Sequence, residues 1–264
     1  MRRRRTEPLT VLFAALGGLL LLFIAAPLLW TLGAVSPAAL MAALGEGEVR
    51  RAITLTLWAS LVATVLALLT GVPLAYLLAR HDFPGKRFVE GLIDVPIVVP
   101  HSAAGIALLL LFGREAIVGR LLAPLGLRFV AAVPGIVIAM LFVSLAFLVD
   151  AARDGFAAID PRLERVARTL GASPWQAFCS IALPLAWRSI LSGMLMMWAR
   201  GLSEFGAVII LAYHPMVAPV LIFERFEAYG LDAALPVAAL MILISLAVFV
   251  LLRMTTRRPE GRVR

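Results

Sequence analysis

The sequence predicts an all-α membrane protein, a polytopic transmembrane helical bundle of about six spans, and three observations predict it. Of 264 residues, 62% are hydrophobic and 15% charged, against about 45–50% and 25% in soluble domains. With a mean hydropathy of +0.99, the apolar excess is too large for one core of this size, so it must face lipid. Six apolar stretches recur along the chain: Leu9–Thr31, Ile53–Leu78, Val95–Phe112, Val133–Val149, Trp187–Ala212 and Ala233–Leu252. The basic residues gather in alternate connections between them.

The first stretch follows Arg2–Arg5 as a secretory signal would. Its apolar run of about 22 residues is about 33 Å long as a helix, enough to cross a bilayer, and exceeds the about 7–15 residues of a signal's apolar region. It is therefore read as the first span. Pro73 and Pro236 predict kinks in the second and sixth spans. The third and fourth are the shortest and contain or begin at Pro96, Pro100 and Pro134. Proline is tolerated in membrane helices where neighbours satisfy the freed carbonyls.

With the N-terminus inside, seventeen of the 24 basic residues fall in cytoplasmic segments, at Arg2–Arg5, Arg80–Arg87, Arg153–Arg188 and Arg253–Arg264. Six fall outside, at Arg50, Arg51, Arg114, Arg120, Arg128 and Arg225, and Arg200 lies within a span. The positive-inside bias predicts both termini in the cytoplasm of a multi-pass membrane protein. The net charge of +8 thus reports topology, and no nucleic acid is expected as a partner. Lone Cys179 has no disulfide mate and no metal-ligand spacing, and His81, His101 and His214 are scattered; no metal is expected and no histidine is taken as a ligand. No internal repeat is visible, and residues 1–264 read as a single transmembrane domain.

Between the fourth and fifth spans lies a hairpin over about residues 155–184. Asp160-Pro161 reads as an N-cap followed by a first-turn proline. Leu163, Val166, Ala167 and Leu170 then recur with helical spacing, and Gly171 supplies a left-handed stop. Ser173, Pro174 and Gln176 open a second helix with a capping box, whose stripe is Trp175, Phe178, Cys179 and Ala182 and which Pro184 closes. The stripes require a cover: either the protein's own helices and the lipid interface, or a cytoplasmic partner.

The residues themselves favour the partner. Glu164 through Gly171, nine further residues to Ile181, then Leu183 and Pro184 resemble the E-A-A-x-x-x-G-x(9)-I-x-L-P signature of ABC importer permeases. Ala167 matches its second alanine. Arg165 and Val166 stand where that family has Glu and the first Ala, with Glu164 one position early, a departure that weakens any transfer of the glutamate's role. The resemblance runs from the second span to the sixth and implies a type I ABC importer permease. On it, Glu164, Ala167, Gly171, Ala172, Ser173, Ile181, Leu183 and Pro184 form a segment that couples to ATPase subunits. The chain has no phosphate-binding loop: Lys86, its single lysine, follows Phe83-Pro84-Gly85. No catalytic residue is expected here, and ATP and Mg are expected on the partner ATPase.

The fifth apolar stretch is interrupted by Arg200-Gly201-Leu202-Ser203-Glu204-Phe205-Gly206. Arg200 and Glu204, four apart, share a helical face. Ionisable residues at such depth cost about 2.5–3.5 kcal/mol on insertion scales and face a bundle interior or a cavity. Arg200, Ser203 and Glu204 are therefore candidates for a pathway or gate, although pairing alone satisfies both charges and favours a helix-joining role. Ala199–Met216, with Val95–Ser102 ahead of Gly105, resembles molybdate/tungstate permeases; sulfate permeases are the near alternative. The resemblance implies a homodimer, ATPase subunits below and an extracytoplasmic oxyanion-binding protein above. Pro219 is expected to open an outer helix through Val220–Ala228, on which Glu224, Arg225 and Glu227 are rim candidates. An ion-gradient carrier, the other transport class, would need midplane acids and often related halves; Glu204 is the one clear acid and no halves repeat.

Overall fold

A computed structural model describes residues 8–256, with side chains placed for 9–250. Arg2–Arg5 and the arginines from 257 onward, which contribute to the charge asymmetry, lie outside the described residues. In chain order the helices are α1 (Pro8–Gly33), α2 (Pro37–Gly45), α3 (Gly47–Arg80), α4 (Lys86–Val98), α5 (His101–Phe112), α6 (Ile117–Leu122), α7 (Val133–Ala157), α8 (Arg162–Thr169), α9 (Pro174–Ala177), α10 (Leu183–Leu202), α11 (Gly206–Leu211), α12 (Ala218–Tyr229) and α13 (Leu231–Thr256). No strand occurs among the described residues.

Among the described residues, five helices are long and apolar enough to cross a membrane, Leu9–Gly33, Gly47–Arg80, Val133–Ala157, Pro174–Leu202 and Leu231–Val250, or six with the bent pair Lys86–Val98 and His101–Phe112 taken as one span. The expected third span, Val95–Phe112, is not one helix. It is shared between α4 and α5, whose axes bend by 115° at the break. The cause is local: Pro100 disfavours the α conformation at the residue before it, and Val99 is extended at φ −65°, ψ 130°.

The expected fifth stretch, Trp187–Ala212, also divides. Its helix ends at Leu202, and Ser203–Phe205 separate it from the short α11. At its other end Pro184 does not close the hairpin's second helix as the sequence suggested. A π turn at Phe178–Ala182 joins α9 to α10, so the helix continues from Pro174 to Leu202. The π turn shifts the hydrogen-bond register, and Pro184 stands directly after it, at the start of α10. α3 and α13 likewise run on through Pro73 and Pro236. The helix expected after Pro219 is α12, which stops at Gly230, φ +81°. The sequence reading missed α2, which begins where Ser36 Oγ accepts the Ala39 N–H at 3.1 Å.

The central packing unit is α3, α7 and α10. Along α3, Ala59, Ala63, Ala67, Gly71 and Ala75 recur every fourth residue and are buried, a small-residue stripe that lets backbones approach. On α10, a Cβ at Gly193 would stand 2.7 Å from the Ala151 Cβ and 3.1 Å from the Leu148 Cα. Gly193→Val is accordingly expected to destabilise by about 1–3 kcal/mol through overpacking, read as a lowered Tm of the purified protein in detergent. At the far end from the hairpin, α2, the start of α3, α12 and α13 close a second cluster around Val49, Leu221 and Val237. α1 buries none of its apolar window, and Phe23 and Trp30 are more than three-quarters exposed.

Candidate functional site

Two sets of predicted residues occupy two places. The first is the hairpin. Asp160 Oδ1 accepts the Arg162 N–H at 2.8 Å and opens α8. Gly171 has φ +97°, the left-handed conformation glycine adopts without strain. The capping box of α9 is complete, with the Gln176 N–H on Ser173 Oγ at 3.2 Å and the Ser173 N–H on Gln176 Oε1 at 2.8 Å.

The two stripes fare differently. Phe178 turns inward, its ring 4.9 Å from that of Tyr76 and 6.1 Å from that of Phe156, and Ala182 is buried. Leu163, Val166 and Leu170 stay exposed, Leu170 at 84%, and Trp175 beside them at 71%. No helix among the described residues covers that apolar edge. Of the remaining predicted positions, Gly171, Ser173 and Pro184 are exposed, while Ala167, Ala172, Ile181 and Leu183 are half-buried.

Glu164 points the other way. Its carboxylate accepts the Tyr76 hydroxyl and Arg80 Nε at 2.8 Å, and Arg80 Nη2 lies 2.8 Å from the same Oε1. Arg80 Nη1 donates to the Phe156 carbonyl at 2.8 Å. Both side chains of the ion pair are at most 10% exposed. Tyr76, Arg80 and Phe156 were not singled out from sequence. Their nearest signal is the i, i+4 spacing of Tyr76 and Arg80 in the last turns of α3, which puts both on one face.

The second place is the break between α10 and α11. Glu204 is fully buried and has three partners. Its Oε1 accepts the Ala207 N–H at 2.8 Å and so caps α11; its Oε2 lies 3.2 Å from Arg200 Nη2 and 3.1 Å from His101 Nδ1. Arg200 Nη2 also reaches the His101 ring nitrogens at 2.7 and 2.9 Å, and Arg200 Nη1 donates to Ser203 Oγ at 3.3 Å. A buried carboxylate is tolerated when paired and hydrogen-bonded in this way.

His101, which the sequence reading assigned no role, stands at the first position of α5 because the chain turns after Pro100. Gly206 makes room for it: a Cβ there would lie 2.7 Å from the His101 Cβ. Ser203 is exposed and Arg200 partly so, leaving the cluster open on one side. Among the described residues, no group of three His, Cys, Asp or Glu is arranged to hold a metal ion.

At the opposite end from the hairpin, a cavity of about 570 Å³ is lined by Glu46, Glu48, Glu224, Arg225 and Asp232 among others. Arg225 bridges Glu46 at 2.5 Å and Glu48 at 3.0 Å. The hydrogen bond it donates to Glu46 above all raises the pKa of its guanidinium further. Of the three rim candidates, Glu224 and Arg225 line this cavity, while Glu227 is exposed beyond it.

Comparison with known proteins places this geometry. Residues 71–260 match the family described as binding-protein-dependent transport system inner membrane component. The molybdate/tungstate transport system permease protein WtpB of Thermococcus kodakarensis is 48% identical over 95% of this chain and 97% of its own. That of Pyrococcus abyssi is 46% identical over 92% and 93%. The sulfate transport system permease protein CysT of Synechocystis is 32% identical over 70% of this chain and 66% of its own. In fold, the chain superposes on a bacterial ABC transporter involved in import of the acidic polysaccharide alginate with a TM-score of 0.73, at 18% identity over 95% of this chain and 96% of that one. An amino acid ABC transporter gives 0.59 at 20% identity, over 85% and 99%. The chain thus belongs to the inner-membrane permease family of binding-protein-dependent ABC importers and has the type I permease fold.

Proposed function

We propose that this chain is the membrane-spanning subunit of an ATP-driven importer of a tetrahedral oxyanion, molybdate or tungstate. Two copies form the pathway, two ATPase subunits that hold ATP and Mg sit on the cytoplasmic face, and an extracytoplasmic binding protein delivers the anion. The observation that carries the coupling role is the bare apolar edge of α8, Leu163, Val166 and Leu170 with Trp175. It projects from the end where the positive-inside rule puts the cytoplasm and has the shape of an amphipathic helix made for a groove. Both termini share that side. The outer cavity around Arg225 faces the binding protein.

The substrate rests on the relatives. Those named for molybdate/tungstate are 44–48% identical over at least 90% of this chain, whereas those named for sulfate reach 32–34% over 70–74%. Arg200, His101 and Ser203 offer donors to a dianion at the α10–α11 break, with Glu204 holding the arginine until the anion competes for it. One arginine does not separate oxyanions of like charge and shape, so discrimination belongs to the binding protein. Isothermal titration of that protein is expected to show molybdate and tungstate binding about 100-fold tighter than sulfate, about 2.7 kcal/mol. Tighter binding of sulfate would overturn the assignment.

A further inference from the structure

We propose that Glu164 is the positioning residue that ties the hairpin to α3, so that movement of the hairpin is delivered to the Arg200 cluster through α3 as well as along α10. The proposal rests on the coupling role given above. It assigns Glu164 an internal partner where the family resemblance suggested an external one.

Geometry carries the first half. On α8 the carboxylate lies on the face opposite the bare apolar edge and is 10% exposed. It is held by Tyr76 and Arg80 at the end of α3, and Arg80 in turn holds the Phe156 carbonyl at the end of α7. Tyr76 is packed edge-on against Phe156 and Phe178, at 5.3 and 4.9 Å between ring centroids, so the hydroxyl and the guanidinium have little freedom to follow α8 independently. With Arg80 Nε donating to Oε1 and the Tyr76 hydroxyl to Oε2, both oxygens are held by charge-assisted hydrogen bonds from the same end of α3. α8 therefore cannot shift without pulling on α3 or breaking the pair.

The second half is where α3 leads. It is a continuous helix from Gly47 to Arg80, and the 21 residues from Ser60 to Arg80 make a rod of about 30 Å. At the other end of that rod, Gly201 packs on Ser60, with a Cβ there placed 3.1 Å from the Ser60 Cβ. Trp198 Nε1 donates to the Leu57 carbonyl at 3.3 Å. Both contacts flank Arg200 in the chain. One continuous helix thus contacts the hairpin at one end and the residues flanking the polar break at the other, a contiguous packed path between the two sites.

The test uses the full transporter, with its ATPase and binding protein, in proteoliposomes, and reads molybdate imported per ATP hydrolysed. Glu164→Gln is expected to retain the ATPase subunits and hydrolyse ATP while import per ATP falls about tenfold, a size typical of coupling between sites. Should that variant fail to accumulate, Tyr76→Phe, which keeps the ring and removes only the hydroxyl, reads the same ratio and is expected to lower it. A wild-type ratio in Tyr76→Phe and in any Glu164→Gln that accumulates overturns the proposal while leaving the coupling role intact. Absence of ATP-driven uptake in the wild-type complex overturns the coupling role itself.

Discussion

Replacing Gly171 with arginine is expected to leave membrane insertion unchanged and to uncouple ATP hydrolysis from uptake. Gly171 joins α8 to α9 at φ +97°, where an L residue costs about 1–2 kcal/mol. Nothing lies within 4 Å of a Cβ built there, so the fold is not blocked by collision. The strain instead falls on the angle between two short helices, and the added cation projects beside Leu170, the most exposed apolar residue of the α8 edge. In proteoliposomes, import should fall to background while nucleotide hydrolysis persists. Gly171→Ala, which brings the strain without bulk or charge, should show a smaller loss. Wild-type coupling in Gly171→Arg would count against the hairpin as the coupling segment.

Arg200→Ala is expected to give the largest loss of stability of any substitution considered. It leaves Glu204, fully buried, without its arginine partner, and removing one partner of a buried pair costs about 3–5 kcal/mol. Removing both charges with similar volume is often neutral. Arg200→Met combined with Glu204→Gln should therefore recover most of the lost Tm. The combined variant separates the two readings left open by sequence. If the cluster serves the anion pathway, uptake stays low although the protein is stable; if it only joins α10, α11 and α5, uptake returns with stability.

How far these places were legible in the sequence follows from the kind of signal each carries. The hairpin is encoded locally. Asp160, Gly171, Ser173 and Gln176 each act within three residues of themselves, so their spacing predicted both helices and the turn. The break at Pro100 was signalled too, but the proline was read as tolerated within a span, when its effect on Val99 ends α4. The π turn was not legible. It is a register shift that lets the helix run through Pro184, and nothing in the periodicity marks it.

Longer-range partners were out of reach for a different reason. His101 meets Arg200 across 99 positions, and Arg80 meets Glu164 across 84. Neither pairing has a periodic trace in the sequence. The glycine at 206 that admits the His101 side chain carries no mark in the sequence of the neighbour it meets. The pairing of Arg200 with Glu204 was expected from helical spacing and stands at 3.2 Å, although Glu204 lies past the end of α10, in the break.

The proposed function requires a motor supplied by another chain. The measurement that tests this most directly is uptake of labelled molybdate into liposomes containing this protein and its binding protein, with and without the ATPase subunits and ATP. Uptake that requires both is the predicted result. Accumulation by the permease alone, with no nucleotide-binding subunit present, would contradict it.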